Sequence, residues 1–259
     1  MATACRLIVD APANGAWNMA ADEVLFGSAA EQGIASLRFY RWDVPTLSLG
    51  YFQRYAEREA HSYSHSCPAV RRSTGGGAIL HDRELTYSLA LPRDNPLAAN
   101  PDRLYNLVHV SLIIALNEKF GAKSSVCVQL CESARSEGPQ PFLCFQRRGQ
   151  NDVVLAERSN SVVGEWKIAG SAQRRRRGAV LQHGSVLLAK SSFAPELPGI
   201  SDLTGQQIEP FELSDRWTAR LSDELGLSMK PQPITAAEAD FANRTVTEKF
   251  ASSLWTNRR

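Results

Sequence analysis

The sequence predicts an α+β fold, in which a mixed or antiparallel β-sheet packs with helices. Short runs rich in β-branched and aromatic residues at 37–42, 46–52 and 86–91 are typical of strands. Residues 101–120 instead repeat their apolar side chains at helical spacing, which predicts a long amphipathic helix. Strand and helix patterns alternate along the chain, and we therefore expect both kinds of element around one core.

Composition narrows the class of protein. The 259 residues carry a formal net charge of +2, with 22% charged and 43% hydrophobic residues, which argues against a general nucleic-acid binder. No apolar run approaches the roughly 18 residues of a membrane span. The N-terminus lacks a secretory signal pattern, so we expect a cytoplasmic protein with no membrane partner. Five cysteines, an odd number in a chain of this length, predict free thiols.

The predicted elements begin with a strand at 7–9 and an amphipathic helix at 14–28. The runs at 37–42 and 46–52 are separated by Asp43-Val44-Pro45, which is a turn signal. These two runs therefore predict a β-hairpin.

Two groups of residues have the spacing of metal ligands, but neither predicts a metal site. His61 and His65 are four residues apart, yet no HExxH-type glutamate lies between them, which favours a solvated face. Cys127 and Cys131 form a CxxxC pattern with Cys144 as a possible third ligand. This pattern is weak without a second pair, so we expect no metal.

The second half of the chain continues the alternation. Residues 152–157 and 165–173 predict a hairpin, with Asn160, Ser161 and Gly164 in its turn. The following run, Arg174 to Arg177, is expected to be a solvated tip, although a basic tip would also attract acidic partner proteins. We expect one domain over 1–259, with its core at about 5–190 and a C-terminal helical extension at about 191–259.

The most informative stretch is RRSTGGGAILHD, which starts at Arg71. Gly75, Gly76 and Gly77 lack a Cβ, so their backbone can adopt positive φ and approach a ligand closely. Arg71 and Arg72 add forked hydrogen-bond donors beside them. A glycine-rich hairpin turn is the alternative interpretation of the three glycines alone.

Two further residues are candidates for chemistry. Cys144 lies among large apolar residues, as structural cysteines do, but Arg147 and Arg148 supply positive charge that favours a thiolate. Lys167 is followed closely by Gly170, Ser171 and Ala172, which leave room for a ligand. An exposed lysine on an edge strand is the alternative for Lys167.

Taken together, the motifs resemble the lipoate-protein ligase and octanoyltransferase family, which is related in fold to biotin-protein ligases. The resemblance covers roughly residues 14–189 and rests on LRFYRWDVPTLSLGYFQ, RRSTGGGAILHD, ELTYSL, CF at 144–145, KIAGSAQ and LQHGSVLL. It implies a catalytic domain like that of biotin and lipoate protein ligases. In such proteins, the cysteine matching Cys144 accepts the acyl chain, and the lysine matching Lys167 contacts the carbonyl end of the acyl group. The implied acyl-binding residues are Arg71, Arg72, Gly75, Gly76, Gly77, His81, Gly170, Ser171, Ala172 and His183.

The function implied by this resemblance is transfer of an octanoyl or lipoyl group. The donor would be an acyl carrier protein thioester, and the acceptor a lysine of a lipoyl-domain protein such as the glycine cleavage H protein or a dehydrogenase E2. This reaction needs no cofactor. HDRELTYS and the cysteine at 144 favour the transferase.

Two other functions remain open at this point. GQND at 149–152 is closer to ligases, so an ATP-dependent lipoate-protein ligase that uses ATP and Mg through an adenylate is the first alternative. A non-catalytic, carrier-binding paralogue is the second alternative.

Overall fold

The computed structural model describes residues 2–122, 124–132, 140–157 and 164–259. The strands in these ranges are β1 (Thr3–Val9), β2 (Ala35–Tyr40), β3 (Thr46–Leu49), β4 (Ala69–Arg71), β5 (Ile79–His81), β6 (Glu84–Leu91), β7 (Val126–Leu130), β8 (Val153–Glu157), β9 (Trp166–Arg176), β10 (Ala179–Leu187) and β11 (Leu227–Pro231). The α-helices are α1 (Gly15–Gln32), α2 (Pro101–Phe120), α3 (Ile200–Thr204), α4 (Pro210–Leu225), α5 (Ala236–Thr245) and α6 (Ser253–Thr256). Across the described ranges, no helix is both long and apolar enough to cross a membrane.

In the described part of the chain, eight strands form one mixed sheet in the order β11-β1-β2-β6-β10-β9-β8-β7. β1 runs parallel to β11 and to β2, and the other neighbouring pairs are antiparallel. The sequence prediction of a mixed sheet packed with helices is therefore confirmed.

The predicted hairpin of residues 37–42 and 46–52 is wrong. β2 lies between β1 and β6 in the large sheet, whereas β3 lies between β4 and β5 in a smaller sheet. Every residue of β2 and of β3 is buried, so each strand needs partners on both edges, which a two-stranded hairpin cannot supply. The chain changes sheet after Trp42, which pairs with Ala13 instead.

The two faces of the large sheet are covered by different helices. On β6, Leu85, Tyr87 and Leu89 belong to the main core formed with α2 and α4. The alternate residue Ser88 points to α1, where it donates a hydrogen bond to Asp22. Trp217 of α4 is fully buried in the main core, and its indole N–H donates to Ser111 of α2. The cavity described below lies on the α1 face.

The long helix predicted at 101–120 is confirmed as α2. The Asn100 side chain accepts a hydrogen bond from the backbone of Arg103, Pro101 occupies the first turn, and Gly121 follows the last residue. Asn100 and Gly121 pair backbone groups that the helix ends would otherwise leave unpaired, and Pro101 has no backbone N–H to pair.

Residues 191–259 contribute a strand as well as helices. The capping box predicted at Thr235 is present, with Glu238 as its partner, and it opens α5. β11 was missed because it is only five residues long and ends at Pro231, too short for a clear alternating pattern. β11 forms because the edge of β1 that does not pair with β2 can accept a parallel strand. No local sequence signal reveals that edge.

The hairpin predicted from residues 152–157 and 165–173 is confirmed as β8 and β9, although Asn160 and Ser161 lie outside the described residues. The hairpin tip predicted for the arginine run is confirmed, because the run lies at the turn end of the β9–β10 hairpin. Arg175 and Arg177 are exposed there, whereas Arg174 and Arg176 are half-buried. Arg174, Arg175 and Arg176 belong to β9, and only Arg177 turns with Gly178 into β10.

Candidate functional site

A narrow cleft lies between α1, the large sheet and residues 73–77, which we call the glycine loop. We call this cleft the central cavity. Its lining includes most of the residues that the sequence singled out. The lining residues are Met19, Tyr40, Arg72, Gly75, Gly76, Ile79, His81, Thr86, Cys144, Phe145, Lys167, Gly170, Ser171, Ala172, His183, Gly184 and Ser185.

The glycine loop is closed by a buried arginine. The Arg72 guanidinium donates to the carbonyls of Gly75 (2.8 Å) and Gly77 (2.7 Å), as well as to that of Ser48 (3.0 Å). Burial lowers the pKa of Arg72 to about 10, which still leaves it charged at neutral pH. Gly76 has a φ of 91°, a conformation that favours glycine. Arg72 thus shapes the loop from behind while lining the cavity.

Two residues expected at the acyl site do not line the central cavity. Arg71 is fully buried and donates to the carbonyls of Gly50 (2.8 Å), Gln53 (2.7 Å) and Thr256 (2.7 Å). Its side chain therefore ties the start of the glycine loop to the C-terminal segment. Gly77 lies under Arg147, because a Cβ at Gly77 would be only 2.9 Å from Arg147 Cζ.

Cys144 and Lys167 meet at one end of the central cavity. Cys144 opens a 3₁₀ turn, and its backbone N–H donates to the carbonyl of Ala78 (2.7 Å), which fixes the turn against the glycine loop. Lys167 projects from β9, and its Nζ lies 3.9 Å from Cys144 Sγ and 3.5 Å from the Cys144 carbonyl oxygen. The half-buried Cys144 thiol and the Lys167 amine therefore share the wall of the central cavity.

Asp152 is the site residue that the sequence did not identify. Its Oδ2 lies 2.8 Å from Lys167 Nζ, and both side chains are about 95% buried, with exposed fractions of 6% and 5%. The same carboxylate accepts hydrogen bonds from the Tyr105 hydroxyl (3.0 Å) and the Gly149 N–H (2.7 Å). The ammonium is therefore held by a carboxylate that two further hydrogen bonds keep in place.

Gly170 makes room for this ion pair. A Cβ at Gly170 would lie 2.6 Å from Lys167 Cε and 3.1 Å from Asp152 Oδ1, both shorter than normal contacts. The small residue expected to face a ligand thus also accommodates the lysine. Ala172 lines the cavity two residues further along β9.

Ser171 lines the cavity but directs its hydroxyl towards α2. Its Oγ lies 2.6 Å from the Tyr87 hydroxyl and 2.6 Å from His109 Nε2. His109 Nδ1 lies 2.6 Å from the Asn151 carbonyl oxygen. Burial lowers the pKa of His109 to about 4, so the imidazole is neutral at physiological pH and Ser171 is a structural partner.

The two cavity histidines have protein partners on both ring nitrogens. His81 contacts Ser48 Oγ (2.7 Å) and Glu84, and its ring stacks on Trp42 at 3.9 Å. His183 contacts Thr74 Oγ1 (2.6 Å) and Asp22 (3.2 Å). Since the polar atoms of these rings are already satisfied, the histidines position the glycine loop and β5.

The candidate metal ligands have other partners. Over the described residues, no group of three or more His, Cys, Asp or Glu is arranged to hold a metal ion. His61 contacts Ser64 (2.8 Å) and Glu196 (2.8 Å). Cys127 lies on β7, at the edge of the large sheet.

Gly76→Val is expected to weaken acyl-group binding severely while the protein still folds. The β-branched side chain would press on the Arg72 guanidinium, which lies 3.1 Å from the Cβ position in the cavity wall, and the positive φ adds on the order of 1–3 kcal/mol of strain. Gly205→Val is the matched control, because Gly205 also has a positive φ of 71° but has no atom within 4 Å of its Cβ position. Thermal unfolding and acyl-transfer rates separate the two effects. If Gly76→Val folds and transfers as well as the control, the glycines serve only as a turn.

Comparisons with known proteins identify the family of the chain. The sequence profile of the lipoyl protein ligase A/B catalytic domain matches residues 14–194. The octanoyltransferase LipM of Macrococcus caseolyticus is 30% identical over 276 aligned residues, which cover 95% of each chain.

Solved structures confirm the predicted fold. A putative lipoate protein ligase of T. acidophilum with bound lipoic acid has a TM-score of 0.72 at 22% identity, covering 99% of this chain and 100% of that one. A lipoate-protein ligase A bound with ATP has a TM-score of 0.75 at 20% identity, covering 98% and 99%. The chain therefore belongs to the family of lipoyl protein ligase A/B catalytic domains.

Proposed function

We propose that this protein is an octanoyltransferase of protein lipoylation. It takes the octanoyl group from a carrier-protein thioester onto Cys144 and passes it to a lysine of a lipoyl-domain protein. The observation that carries the proposal is the placement of Cys144 Sγ 3.9 Å from Lys167 Nζ at the end of the central cavity. Alignment with octanoyltransferases over nearly the whole chain supports it.

The first half-reaction exchanges one thioester for another. The Cys144 thiolate attacks the thioester carbonyl, a new C–S bond forms, and the carrier thiol leaves with the proton that the Cys144 thiol gave up. The Lys167 ammonium lies near the sulfur, where it stabilises negative charge that develops on the carbonyl oxygen. Exchange between thioesters is nearly isoenergetic, so this step needs no ATP.

The second half-reaction forms the amide. The neutral amine of the acceptor lysine attacks the Cys144 thioester, the C–S bond breaks, and the amine proton restores the thiol. An amide is more stable than a thioester, which makes this step favourable. Because Asp152 holds Lys167 at 2.8 Å in a buried ion pair, we assign Lys167 the role of a fixed charge.

An ATP-dependent ligase is the second candidate, and GQND at 149–152 is the feature that favours it. Asp152, the last residue of that motif, holds Lys167, Tyr105 and the Gly149 N–H. These contacts give the aspartate a role in the transferase as well. A ligase would need ATP and Mg, whereas the transferase needs neither.

An assay of the purified protein distinguishes the two functions. With octanoyl-carrier protein and a lipoyl domain, and without ATP, we expect octanoylation of the lipoyl-domain lysine. Free octanoate or lipoate with ATP and Mg should give no product. The reverse pattern would establish the ligase, and no product from either donor would indicate a non-catalytic paralogue.

A further inference from the structure

A row of alternating cations and aromatic rings lies beside the glycine loop. The Arg258 guanidinium lies 4.8 Å from the ring centroid of Trp255 and 4.3 Å from that of Tyr51. The Arg259 guanidinium lies 5.9 Å from Tyr51 and 5.3 Å from Phe52. At the other end, Lys249 Nζ lies 4.4 Å from the Trp255 ring. We call this set the cation–aromatic row: Lys249, Trp255, Arg258, Tyr51, Arg259 and Phe52.

Hydrogen bonds connect the row to the segments next to the glycine loop. The Trp255 indole N–H donates to the carbonyl of Arg71 (2.8 Å), and Arg258 donates to the Tyr51 hydroxyl (2.9 Å). The Arg259 carbonyl accepts a hydrogen bond from the Tyr55 backbone (2.8 Å). Side chains that are already ordered lose little conformational entropy when they bind a partner.

The positive charge of the row is only partly compensated. Lys249 pairs with Glu23 at 3.2 Å. Arg258 and Arg259 are exposed, and neither forms an ion pair with another residue that the structure describes. By contrast, Arg174 and Arg176, from the arginine run, pair with Glu23 and Glu31. The charges of Arg258 and Arg259 are therefore available to an acidic partner, directly beside aromatic rings.

The row also borders the glycine loop, whose Gly75 and Gly76 line the central cavity. The Phe52 ring lies 3.7 Å from the Cβ position of Gly75, at one end of the glycine loop, and its side chain is 67% exposed. The Cys144 segment pairs with Ala78, just past the other end of the loop. A protein bound on the row would thus lie on one side of the glycine loop, and Cys144 would lie on the other side.

We propose that the cation–aromatic row docks the acidic carrier domain that delivers the acyl thioester, an inference that rests on the proposed transferase function. Exposed arginines and aromatic rings are the side chains that contribute most to protein interfaces, and the charge complements an acidic partner. The donor is favoured over the acceptor because its thioester is carried on a long flexible arm. Such an arm reaches Cys144 across the loop, whereas a lysine side chain is short.

The test uses Arg258→Glu/Arg259→Glu, with Arg216→Glu/Arg220→Glu as the control. The control makes the same charge change on α4, which covers the other face of the sheet. Binding of an acidic acyl carrier protein is measured at low salt by surface plasmon resonance. Acylation of Cys144 is measured with octanoyl-carrier protein and with S-octanoyl-N-acetylcysteamine, a small thioester that lacks the carrier domain.

We expect carrier binding and acylation by octanoyl-carrier protein to fall about tenfold or more in the row variant alone. Acylation by the small thioester should be unchanged. Equal carrier binding by the wild type and both variants would overturn the proposal. So would a row variant that is acylated normally but fails in transfer to the lipoyl domain, because the row would then serve the acceptor. A wild-type protein that is acylated by neither thioester would refute the transferase function, while the binding measurement would still decide the docking site.

Discussion

Replacing Cys144 with alanine is expected to lower octanoyl transfer at least about 10³-fold, because the acyl group then has no acceptor atom on the enzyme. Lys167 cannot substitute for it, since its ammonium is held by Asp152 at 2.8 Å and carries no lone pair for attack. Transfer is measured as octanoylated lipoyl domain formed from octanoyl-carrier protein without ATP. Unfolding curves should be nearly unchanged, because the thiol is only half buried.

Cys127→Ala is the matched control for this substitution. Cys127 is also half buried, but it lies on β7 and its thiol contacts Gln129 (3.8 Å). Cys131→Ala, just beyond β7, should likewise keep its activity. Strong activity of Cys144→Ala that depends on ATP and free lipoate would contradict the account and favour the ligase.

The second large effect is expected at the Lys167–Asp152 ion pair, whose ammonium lies 3.9 Å from the Cys144 sulfur. Lys167→Ala should slow acylation of Cys144 by about 10²-fold or more, because it removes the charge that stabilises the oxyanion. The nucleophile itself remains, so a slow adduct should still form on Cys144. Single-turnover kinetics with octanoyl-carrier protein measures this step directly.

Asp152→Asn should impair both stability and rate. The variant leaves a buried ammonium without its carboxylate, which costs about 3 kcal/mol of unfolding free energy. Asp152→Asn/Lys167→Met removes both charges, and we expect it to regain stability in urea unfolding but not to regain rate. If Asp152→Asn matched the wild type in both measurements, Asp152 would have no positioning role.

The sequence identified the two residues that we propose for catalysis, but it did not identify the residue that supports them. Cys144 and Lys167 stand in short motifs that a family resemblance reveals, and the structure brings them to 3.9 Å. Asp152 precedes β8, and it reaches Lys167 because β8 pairs with β9, with a register shift between Val153 and Val154. Such a contact depends on strand pairing, which local sequence patterns do not specify.

The two arginines of the glycine-rich motif also have roles that local sequence patterns do not specify. Arg71 and Arg72 are adjacent in the motif, yet Arg71 binds the C-terminal segment while Arg72 closes the glycine loop. Neighbouring residues of a strand point to opposite faces, so only the placement of the sheets decides which side chain reaches the cavity. The periodic helix α2 was predictable because its signal lies entirely within its own sequence.

The most direct test of a covalent Cys144 intermediate is mass spectrometry of the protein after brief incubation with octanoyl-carrier protein in the absence of ATP. We expect the intact mass to increase by one octanoyl group, and peptide mapping to place that group on Cys144. Addition of a lipoyl domain should then remove the label from Cys144 and transfer it to the acceptor lysine. An unmodified Cys144 together with an octanoylated lipoyl domain would contradict the account.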